Sequence, residues 1–97
     1  MLGLVKETKK RATFTVINDR GLHTRPSTEL VRCATRFNAE IYLSYKRQKV
    51  NAKSLLGILM LAAPKGAKIG VIASGGDAEE AVSTILTLAE HQFYMRY

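Results

Sequence analysis

His23 is the residue of this chain whose type and position point most directly to chemistry. It lies in the segment Asn18–Ser27 (NDRGLHTRPS), between a glycine-containing loop and Pro26, which is typical of the first turn of a helix. The start of a helix offers N–H groups and the positive end of the helix dipole, and both favour an anion. A neutral imidazole there could act as a nucleophile and carry a phosphate, and the guanidinium of Arg25 matches phosphate oxygens. A histidine in this position could equally be a simple helix cap.

Other reactive groups are few, which excludes several kinds of site. The chain has two histidines, one cysteine and no pair of carboxylates near His23, so a catalytic triad, an acid–base pair and a metal cage lack their residues. His91 falls near the end of the last predicted helix, where a positive charge is favourable, and is assigned no function. We therefore expect neither a hydrolase nor a metal protein, and no cofactor.

Length and composition indicate one small globular domain. The chain has 97 residues, of which 46% are hydrophobic and 24% charged, and a domain of this size can fold without metals or disulfides. The single cysteine, Cys33, excludes an internal disulfide and fits a reducing compartment. The apolar start of the chain is too short for a signal peptide, and no apolar run reaches membrane-spanning length. We expect a cytoplasmic protein with no membrane insertion.

The charge is unevenly distributed along the chain. Residues 1–68 hold 14 of the 15 Lys and Arg residues with four of the eight acidic residues, a net charge of +10, whereas residues 69–97 carry −3. Such a field steers the molecule toward something acidic, whether nucleic acid, an anionic surface or an acidic protein. Charge alone does not choose among them, and a solvated basic surface without a specific partner is a further interpretation.

Hydrophobic periodicity predicts seven elements, because alternation of apolar and polar residues indicates strands and spacings of three and four indicate helices. The last helix begins near Asp77, which with Glu80 matches the pattern of a capping box. The elements are, in order, a strand around Phe14, a helix through Leu30 and Phe37, a hairpin over residues 40–51, a helix after Ser54, a strand around Val71 and a helix whose buried face extends to Phe93.

The order β-α-β-β-α-β-α predicts an α+β fold, a two-layer open-faced sandwich with three helices on one face of a four-stranded antiparallel sheet. Residues 1–10 show no clear period and are expected to form a flexible N-terminal extension, so that the domain spans residues 11–97. The hairpin turn Lys46–Arg47 is unusual, because tight two-residue turns prefer Asn-Gly or Asp-Gly for positive φ.

Two motifs resemble those of the HPr family of histidine-containing phosphocarrier proteins. Residues Gly21–Ser27 (GLHTRPS) resemble the family's active-site signature, usually Gly-Xaa-His-Ala-Arg-Pro-Ala, in which Xaa is isoleucine, leucine or methionine. Residues 50–57 (VNAKSLLG) resemble its regulatory serine segment, of the type Val-Asn-Leu-Lys-Ser-Ile-Met-Gly, at the family's spacing from the histidine. The likeness covers residues 11–93 and includes the same order of elements.

The resemblance implies a role for each residue of the first motif. His23 would accept a phosphoryl group on Nδ1 from phospho-Enzyme I, which phosphoenolpyruvate charges, and would pass it to IIA components of sugar permeases. Arg25 would stabilise the phosphoryl group during transfer. The helix start, formed by Thr24, Pro26 and Ser27, would cradle the phosphate.

The second motif implies regulation and docking. Ser54 would be phosphorylated by an ATP-dependent HPr kinase/phosphorylase. Leu55, Leu56 and Leu59 would form an apolar docking patch for partners with acidic rims, and phosphate on Ser54 would add negative charge to this patch and repel those partners.

Several departures from the family pattern leave the partners open. Thr24 and Ser27 replace the usual alanines, Leu56 stands where many members have methionine, and the positive net charge is atypical. One alternative is a regulatory phosphorelay protein without a transport role. Another is a small basic nucleic-acid-binding domain, which would need the stacking motif of an RNA-recognition sheet or the GXXG clamp of a KH module, and neither is present. We expect a monomer that binds its partners briefly and does not bind nucleic acid.

Overall fold

The computed structural model describes residues 8–96 of the chain. Residues 1–7, which make up most of the expected N-terminal extension, and residue 97 lie outside the described residues. The strands within the described range are β1 (Lys9–Thr15), β2 (Glu40–Tyr45), β3 (Gln48–Asn51) and β4 (Lys68–Ser74). They form one sheet in the order β1-β4-β2-β3, and every neighbouring pair is antiparallel.

The helices that cover one face of this sheet are α1 (Thr24–Ala34), α2 (Leu55–Met60) and α3 (Ala78–Glu90), and a 3-10 turn (Gln92–Tyr94) follows them. Helix α3 packs on β1 and β4, while α1 packs against α2 and α3. The predicted order β-α-β-β-α-β-α and the open-faced sandwich with an antiparallel sheet are therefore confirmed.

The core lies between the sheet and the helices, and strand alternation explains which residues enter it. Along β4, Ile69, Val71 and Ala73 are buried, and most of the residues between them are half-buried. Because side chains of a strand point alternately to its two faces, this pattern directs one apolar row toward the helices. Each helix contributes fully buried side chains to the core, among them Leu30, Ile58 and Ile85. The opposite face of the sheet carries no helix within the described part of the chain.

The first strand begins earlier than the sequence predicts. β1 starts at Lys9, two residues before the expected start of the domain at Arg11. Lys9 lies opposite Ser74 in the antiparallel register with β4, and Lys10 continues the pairing. These two residues alternate too little in polarity to be assigned to a strand, but backbone pairing does not require an apolar side chain.

The turns after β2 and α2 use a left-handed backbone at residues other than glycine. The turn between β2 and β3 confirms the predicted hairpin, and Lys46 within it has a φ of 54°, the strained conformation expected for this residue. Helix α2 ends at Met60, although the apolar run continues beyond it, because Ala62 adopts a φ of 50°. A left-handed residue shortly after the last turn is a common way for a helix to end.

The last helix also ends earlier than predicted. α3 ends at Glu90, so the prediction that Phe93 lies on its buried face is wrong. The side chain of Phe93 reaches the core from the 3-10 turn and is fully buried there. His91 is the C-terminal cap of α3, where its Nδ1 atom lies 2.9 Å from the carbonyl oxygen of Thr87. His91 therefore lies at the end of the last helix, as the sequence predicts, where a positive charge is favourable.

Asp77 joins α3 to the loop that precedes β2 and does not cap its own helix. Its side chain makes no capping hydrogen bond, so the predicted capping box with Glu80 is wrong. The two carboxylate oxygens accept hydrogen bonds from the backbone N–H groups of Asn38 and Ala39, each at 2.8 Å. Asn38 and Ala39 lie 39 and 38 residues from Asp77 in the sequence, so the local pattern around Asp77 does not reveal that they are its partners.

The Asp77 carboxylate makes stability depend on pH. The Asn38 N–H lowers the pKa of Asp77 below its ordinary value, and the Ala39 N–H and the positive charge of Lys53 act in the same direction against an opposing effect of burial. A carboxyl whose pKa is lower in the folded chain stabilises the fold above its unfolded pKa, and this contribution is lost as the pH falls through the folded pKa. The contribution is therefore present at neutral pH and lost in acid.

We expect Asp77→Asn to lower the melting temperature by several degrees at pH 7. Each carboxylate oxygen of Asp77 accepts from one N–H group, whereas the asparagine side chain has a single acceptor oxygen and an NH₂ group in place of the other. The difference from the unmodified protein should begin to shrink below the ordinary aspartate pKa of about 4, and it should disappear as the pH falls through the lower pKa of Asp77 in the folded chain. Thermal unfolding followed by circular dichroism between pH 7 and pH 2 measures both effects. Glu80→Gln, which removes a charge from the same helical turn, is the matched control, and an equal loss in the two variants would contradict the role of the amide contacts.

Candidate functional site

His23 is the N-terminal cap residue of α1. Its backbone is extended, with φ of −81° and ψ of −170°, and its side chain makes no capping hydrogen bond. Its carbonyl oxygen accepts the first hydrogen bond of the helix from Ser27 at 3.0 Å. The imidazole is therefore at the end of the helix where the dipole is positive, and it is half-buried. This placement is the one that the sequence predicts for a group that could carry an anion.

Gly21 allows the loop before His23 to lie close against the chain that follows α2. Its φ is +72°, and a β-carbon at this position would clash with the carbonyl oxygen of Ala63. Leu22 then donates a hydrogen bond to this same Ala63 oxygen at 2.9 Å. Because only glycine fits both the left-handed φ and the close approach, this residue fixes the path of the loop and, through it, the position of His23.

His23 borders a shallow surface depression between the start of α1 and the end of α2, which we call the His23 depression. It is lined by Arg20, Leu22, His23, Thr24, Leu59, Ala62, Ala63 and Pro64, none of which is acidic. Thr24 in this lining is exposed, and so is Arg25, the next residue along the chain. The sequence analysis did not predict Arg20 as a site residue. It could have been identified from its position in the loop, three residues before His23. A phosphate at His23 would meet positive charge without a neighbouring carboxylate in this lining.

Pro26 and Ser27 of the predicted phosphate cradle are both buried. The hydroxyl of Ser27 donates a hydrogen bond to the carbonyl oxygen of Leu22 at 3.0 Å, within the loop that precedes His23. The Ser27 hydroxyl is therefore engaged inside the protein, and the contact of the helix start with a phosphate stays a prediction. Ser27 ties the loop to the helix, and of the predicted cradle only Thr24 has an exposed side chain.

Ser54 is the N-terminal cap of α2. Its side-chain oxygen accepts a hydrogen bond from the N–H of Gly57 at 3.1 Å, so the side chain caps the helix. A β-carbon on Gly57 would lie 3.3 Å from this oxygen and 3.2 Å from the β-carbon of Val50, which is tighter than usual packing. The glycine thus keeps the segment around Ser54 compact. The Ser54 side chain itself is half-buried at the edge of the surface.

Helix α2 exposes apolar side chains, which we call the α2 patch and define as Leu55, Leu56, Leu59 and Met60. Leu56 and Met60 are 68% and 67% exposed, Leu55 is 37% exposed, and Leu59 is half-buried where it lines the His23 depression. Met60 was not predicted, although its spacing of four residues from Leu56 places it on the same side of a helix. A patch of exposed leucine and methionine side chains is typical of a protein-binding surface.

The described residues offer no other site of comparable chemistry. Within residues 8–96, no group of three or more His, Cys, Asp or Glu side chains could hold a metal ion. No helix in this range is long and apolar enough to cross a membrane. Cys33 is buried in α1.

Comparison with known proteins gives a consistent result. Residues 10–91 match a family model described as the PTS HPr component phosphorylation site. The crystal structure of HPr-C-His from Thermoanaerobacter tengcongensis is 35% identical, with a TM-score of 0.86 over 91% of this chain and 99% of that one. The phosphocarrier protein HPr from Bacillus anthracis is also 35% identical, with a TM-score of 0.78 over 81% of this chain and 94% of that one.

A third similar structure is the Bacillus subtilis catabolite repression containing protein Crh. It is 33% identical, with a TM-score of 0.69 over 81% of this chain and 91% of that one. That protein is described as a dimer with a swapping domain. The likeness therefore extends to a protein whose name refers to regulation.

Proposed function

Because the chain belongs to the HPr family, the phosphocarrier proteins of the phosphotransferase system, we propose that His23 is its phosphoryl-carrying residue. In this role the Nδ1 atom of His23 forms a bond to the phosphorus of phospho-Enzyme I as the bond between that phosphorus and Enzyme I breaks, and free Enzyme I leaves. The phosphoryl group then passes to a IIA component in a second transfer of the same kind, which restores the free imidazole. The family is one of carriers, so the protein is a substrate of other enzymes and does not turn over a free small molecule.

The observation that supports this proposal best is the position of His23 at the start of α1. The helix dipole and the first-turn N–H groups favour an anion there, and the lining of the His23 depression contains no carboxylate. The α2 patch borders the same depression through Leu59, so a docked partner can bring its own reactive group to the imidazole. The exposed apolar area supplies contact, and the basic residues around it steer acidic partners.

The test is phosphorylation with mapped products. The protein is incubated with phosphoenolpyruvate and Enzyme I, and separately with ATP and an HPr kinase, and the label is located by mass spectrometry before and after acid treatment. We expect acid-labile label on His23 in the first reaction and acid-stable label on Ser54 in the second. Failure of the first reaction with an Enzyme I that phosphorylates another HPr would contradict the proposed carrier function.

Arg25 stabilises the phosphoryl group in this proposal. Its exposed guanidinium follows His23 by two residues, and such a group supports the negative charge that develops on the phosphate oxygens. We expect Arg25→Ala to reduce the rate of transfer from phospho-Enzyme I by about 10- to 100-fold without abolishing it. Rapid-quench kinetics measure the rate. Arg36→Ala, which removes an exposed arginine beyond the other end of α1, is the control and should leave the rate within about twofold. An unchanged rate in Arg25→Ala would remove the proposed role of its guanidinium.

Ser54 is the proposed regulatory site, since its hydroxyl lies at the edge of the α2 patch. Ser54→Asp adds a negative charge there while keeping a good N-cap residue, so α2 should remain folded. We expect its affinity for Enzyme I to fall by roughly tenfold, because like charges then face each other across the interface. Isothermal titration calorimetry measures the affinity. The control is Ser83→Asp, which makes the same charge change at an exposed residue of α3. Equal affinities of the Ser54→Asp and Ser83→Asp proteins would contradict the repulsion argument.

A regulator that acts mainly through Ser54 is the second candidate, and the likeness to Crh favours it. The two candidates differ in the residue they need: a transport carrier passes phosphate from His23 to a IIA component, whereas this regulator keeps its function when His23 is replaced and loses it when Ser54 is replaced. We propose a monomeric cytoplasmic protein in either case, and analytical ultracentrifugation tests the monomer against a dimer of the kind described for Crh.

A further inference from the structure

The outer face of the sheet, which is the face turned away from the helices, is a second surface with a distinct character. Ile69, Val71 and Ala73 of β4 point to the core, so Lys68 and Ile72 point outward. In β2 the same alternation places Tyr42 on the outer face. A β-carbon on Gly70 of β4 would collide with the hydroxyl of Ser44 of β2, which lies opposite it in the register. Both positions are therefore on the outer face. His23 and the α2 patch belong to the helical layer on the other side of the sheet.

The outer face is strongly basic. Lys9 and Arg11 of β1, Lys49 of β3 and Lys68 of β4 occupy its alternate positions and are exposed, while Glu40 is its one acidic residue in the described strands. The ion pairs among residues 8–96 involve other cations, namely Lys10, Arg32 and Lys65. The four cations of the outer face therefore have no carboxylate within 4.0 Å in this part of the chain. This face is therefore a source of positive potential that carboxylate contacts within residues 8–96 do not neutralise.

The centre of the outer face is apolar. Tyr42 lies directly opposite Ile72 in the register of β2 and β4, and both are half-buried. The ammonium group of Lys49 lies 4.7 Å from the centre of the Tyr42 ring. A small apolar centre with a charged rim is the usual anatomy of a protein–protein interface. The rim determines the complementary partner, which must bring negative charge.

We propose that the outer face binds an acidic polypeptide, either an acidic segment or an acidic surface of another protein, independently of the phosphoryl site. Positive charge alone would suit RNA as well, but a sheet that binds RNA uses several exposed aromatic rings to stack bases. Here Phe14 and Tyr45 belong to the core side, and Tyr42 has Lys49 over its ring. The observations therefore favour carboxylates as the partner groups and the Tyr42–Ile72 pair as the apolar contact.

The size of the outer face indicates a transient contact. The four strands are four to seven residues long. With a spacing of about 4.8 Å they give a face of roughly 15 by 20 Å, which is small for a protein interface. Because the face and the His23 depression lie on opposite sides of the sheet, an acidic partner can stay bound while Enzyme I docks on the α2 patch. The acidic partner would then form a ternary complex with the carrier and Enzyme I.

The experiment uses poly-L-glutamate of about 20 residues as the probe, titrated into the ¹⁵N-labelled protein at low salt. We expect amide shifts on the outer-face residues of β2, β3 and β4, and weaker binding as sodium chloride is raised, because exposed charges are screened. Lys49→Glu and Lys68→Glu should each weaken binding at least fivefold. Arg36→Glu changes the net charge by the same amount on the helical side, and it should weaken binding less than twofold.

Three outcomes would overturn the proposal. An equal loss in Arg36→Glu would mean that only net charge matters, and the absence of any binding would mean that the face has no such partner. Tighter binding of a 20-nucleotide oligouridylate at the same salt concentration would assign the face to nucleic acid instead. The His23→Ala protein should bind the probe unchanged, so this test stands or falls separately from the proposed carrier function. Thermal unfolding of each variant identifies a loss of binding that comes from loss of the fold.

Discussion

His23→Ala should abolish phosphorylation by phosphoenolpyruvate and Enzyme I while leaving the fold intact. The expected loss is complete, because alanine offers no atom that can form the bond to phosphorus. The backbone interactions of residue 23 do not need the imidazole, since its carbonyl oxygen accepts the first hydrogen bond of α1 and its side chain makes no capping bond. The measurement is the amount of acid-labile label after a reaction time at which the unmodified protein is fully phosphorylated.

His91→Ala is the matched control for this experiment. It removes the only other histidine of the chain, whose Nδ1 atom contacts the carbonyl oxygen of Thr87 at the end of α3. We expect full phosphorylation of this variant. ATP-dependent labelling of Ser54 should also continue in His23→Ala, which would show that the variant still presents its other site. Acid-labile label on His23→Ala would contradict the assignment, and loss of label in both histidine variants would point to unfolding.

The fold could be predicted largely because its elements have clear local patterns. In β4 the apolar residues alternate with other residues, and in α1 they recur at helical spacing. In both elements the residues of this pattern are the ones that are buried. The position of His23 was predictable for a similar reason, since Gly21 and Pro26 mark the loop and the first turn around it. Local signals are sufficient where the partner of each residue lies within one turn or one strand.

The role of Asp77 was missed because its partners are far away in the sequence. Asp77 has the local pattern of a helix cap, but the N–H groups of Asn38 and Ala39 are its partners. The contact of Ser27 is local and was missed as well, since its hydroxyl donates a hydrogen bond to the carbonyl oxygen of Leu22, five residues earlier. In both cases the residue type allows more than one partner, and only the packed chain determines which one it contacts.

Phe93 is a third case, and its tertiary contact overrides the local backbone preference. Gln92, Phe93 and Tyr94 have φ values of 55°, 56° and 65°, which no glycine relieves. A left-handed conformation costs roughly 1–2 kcal/mol for each such residue. Full burial of an aromatic side chain contributes a similar total, about 4–6 kcal/mol by its area. The turn is therefore stable as long as the ring is in the core, where it meets Phe14 edge to face at 5.9 Å.

Phe93→Ala should consequently be among the most destabilising substitutions in the chain. We expect the free energy of unfolding to fall by about 3–5 kcal/mol, which corresponds to a decrease in melting temperature of roughly 15–30 °C for a domain of this size. The residues of the turn should also lose protection from hydrogen exchange before the rest of the domain, because the strain then has no compensating burial. Chemical denaturation and exchange detected by NMR measure the two effects.

Tyr94→Ala separates the role of the ring from that of the turn. Tyr94 has the same left-handed backbone, but its side chain is 74% exposed, so its removal should change the free energy of unfolding by less than about 1 kcal/mol. A loss as large as that of Phe93→Ala would mean that the turn itself, and not the buried ring, stabilises the end of the chain. The turn is also linked to the loop that ends at His23, because Asn18, which begins this loop, donates a hydrogen bond to the Gln92 carbonyl oxygen at 2.9 Å. Phosphorylation of Phe93→Ala, measured well below its melting temperature, should therefore be slower than that of Tyr94→Ala.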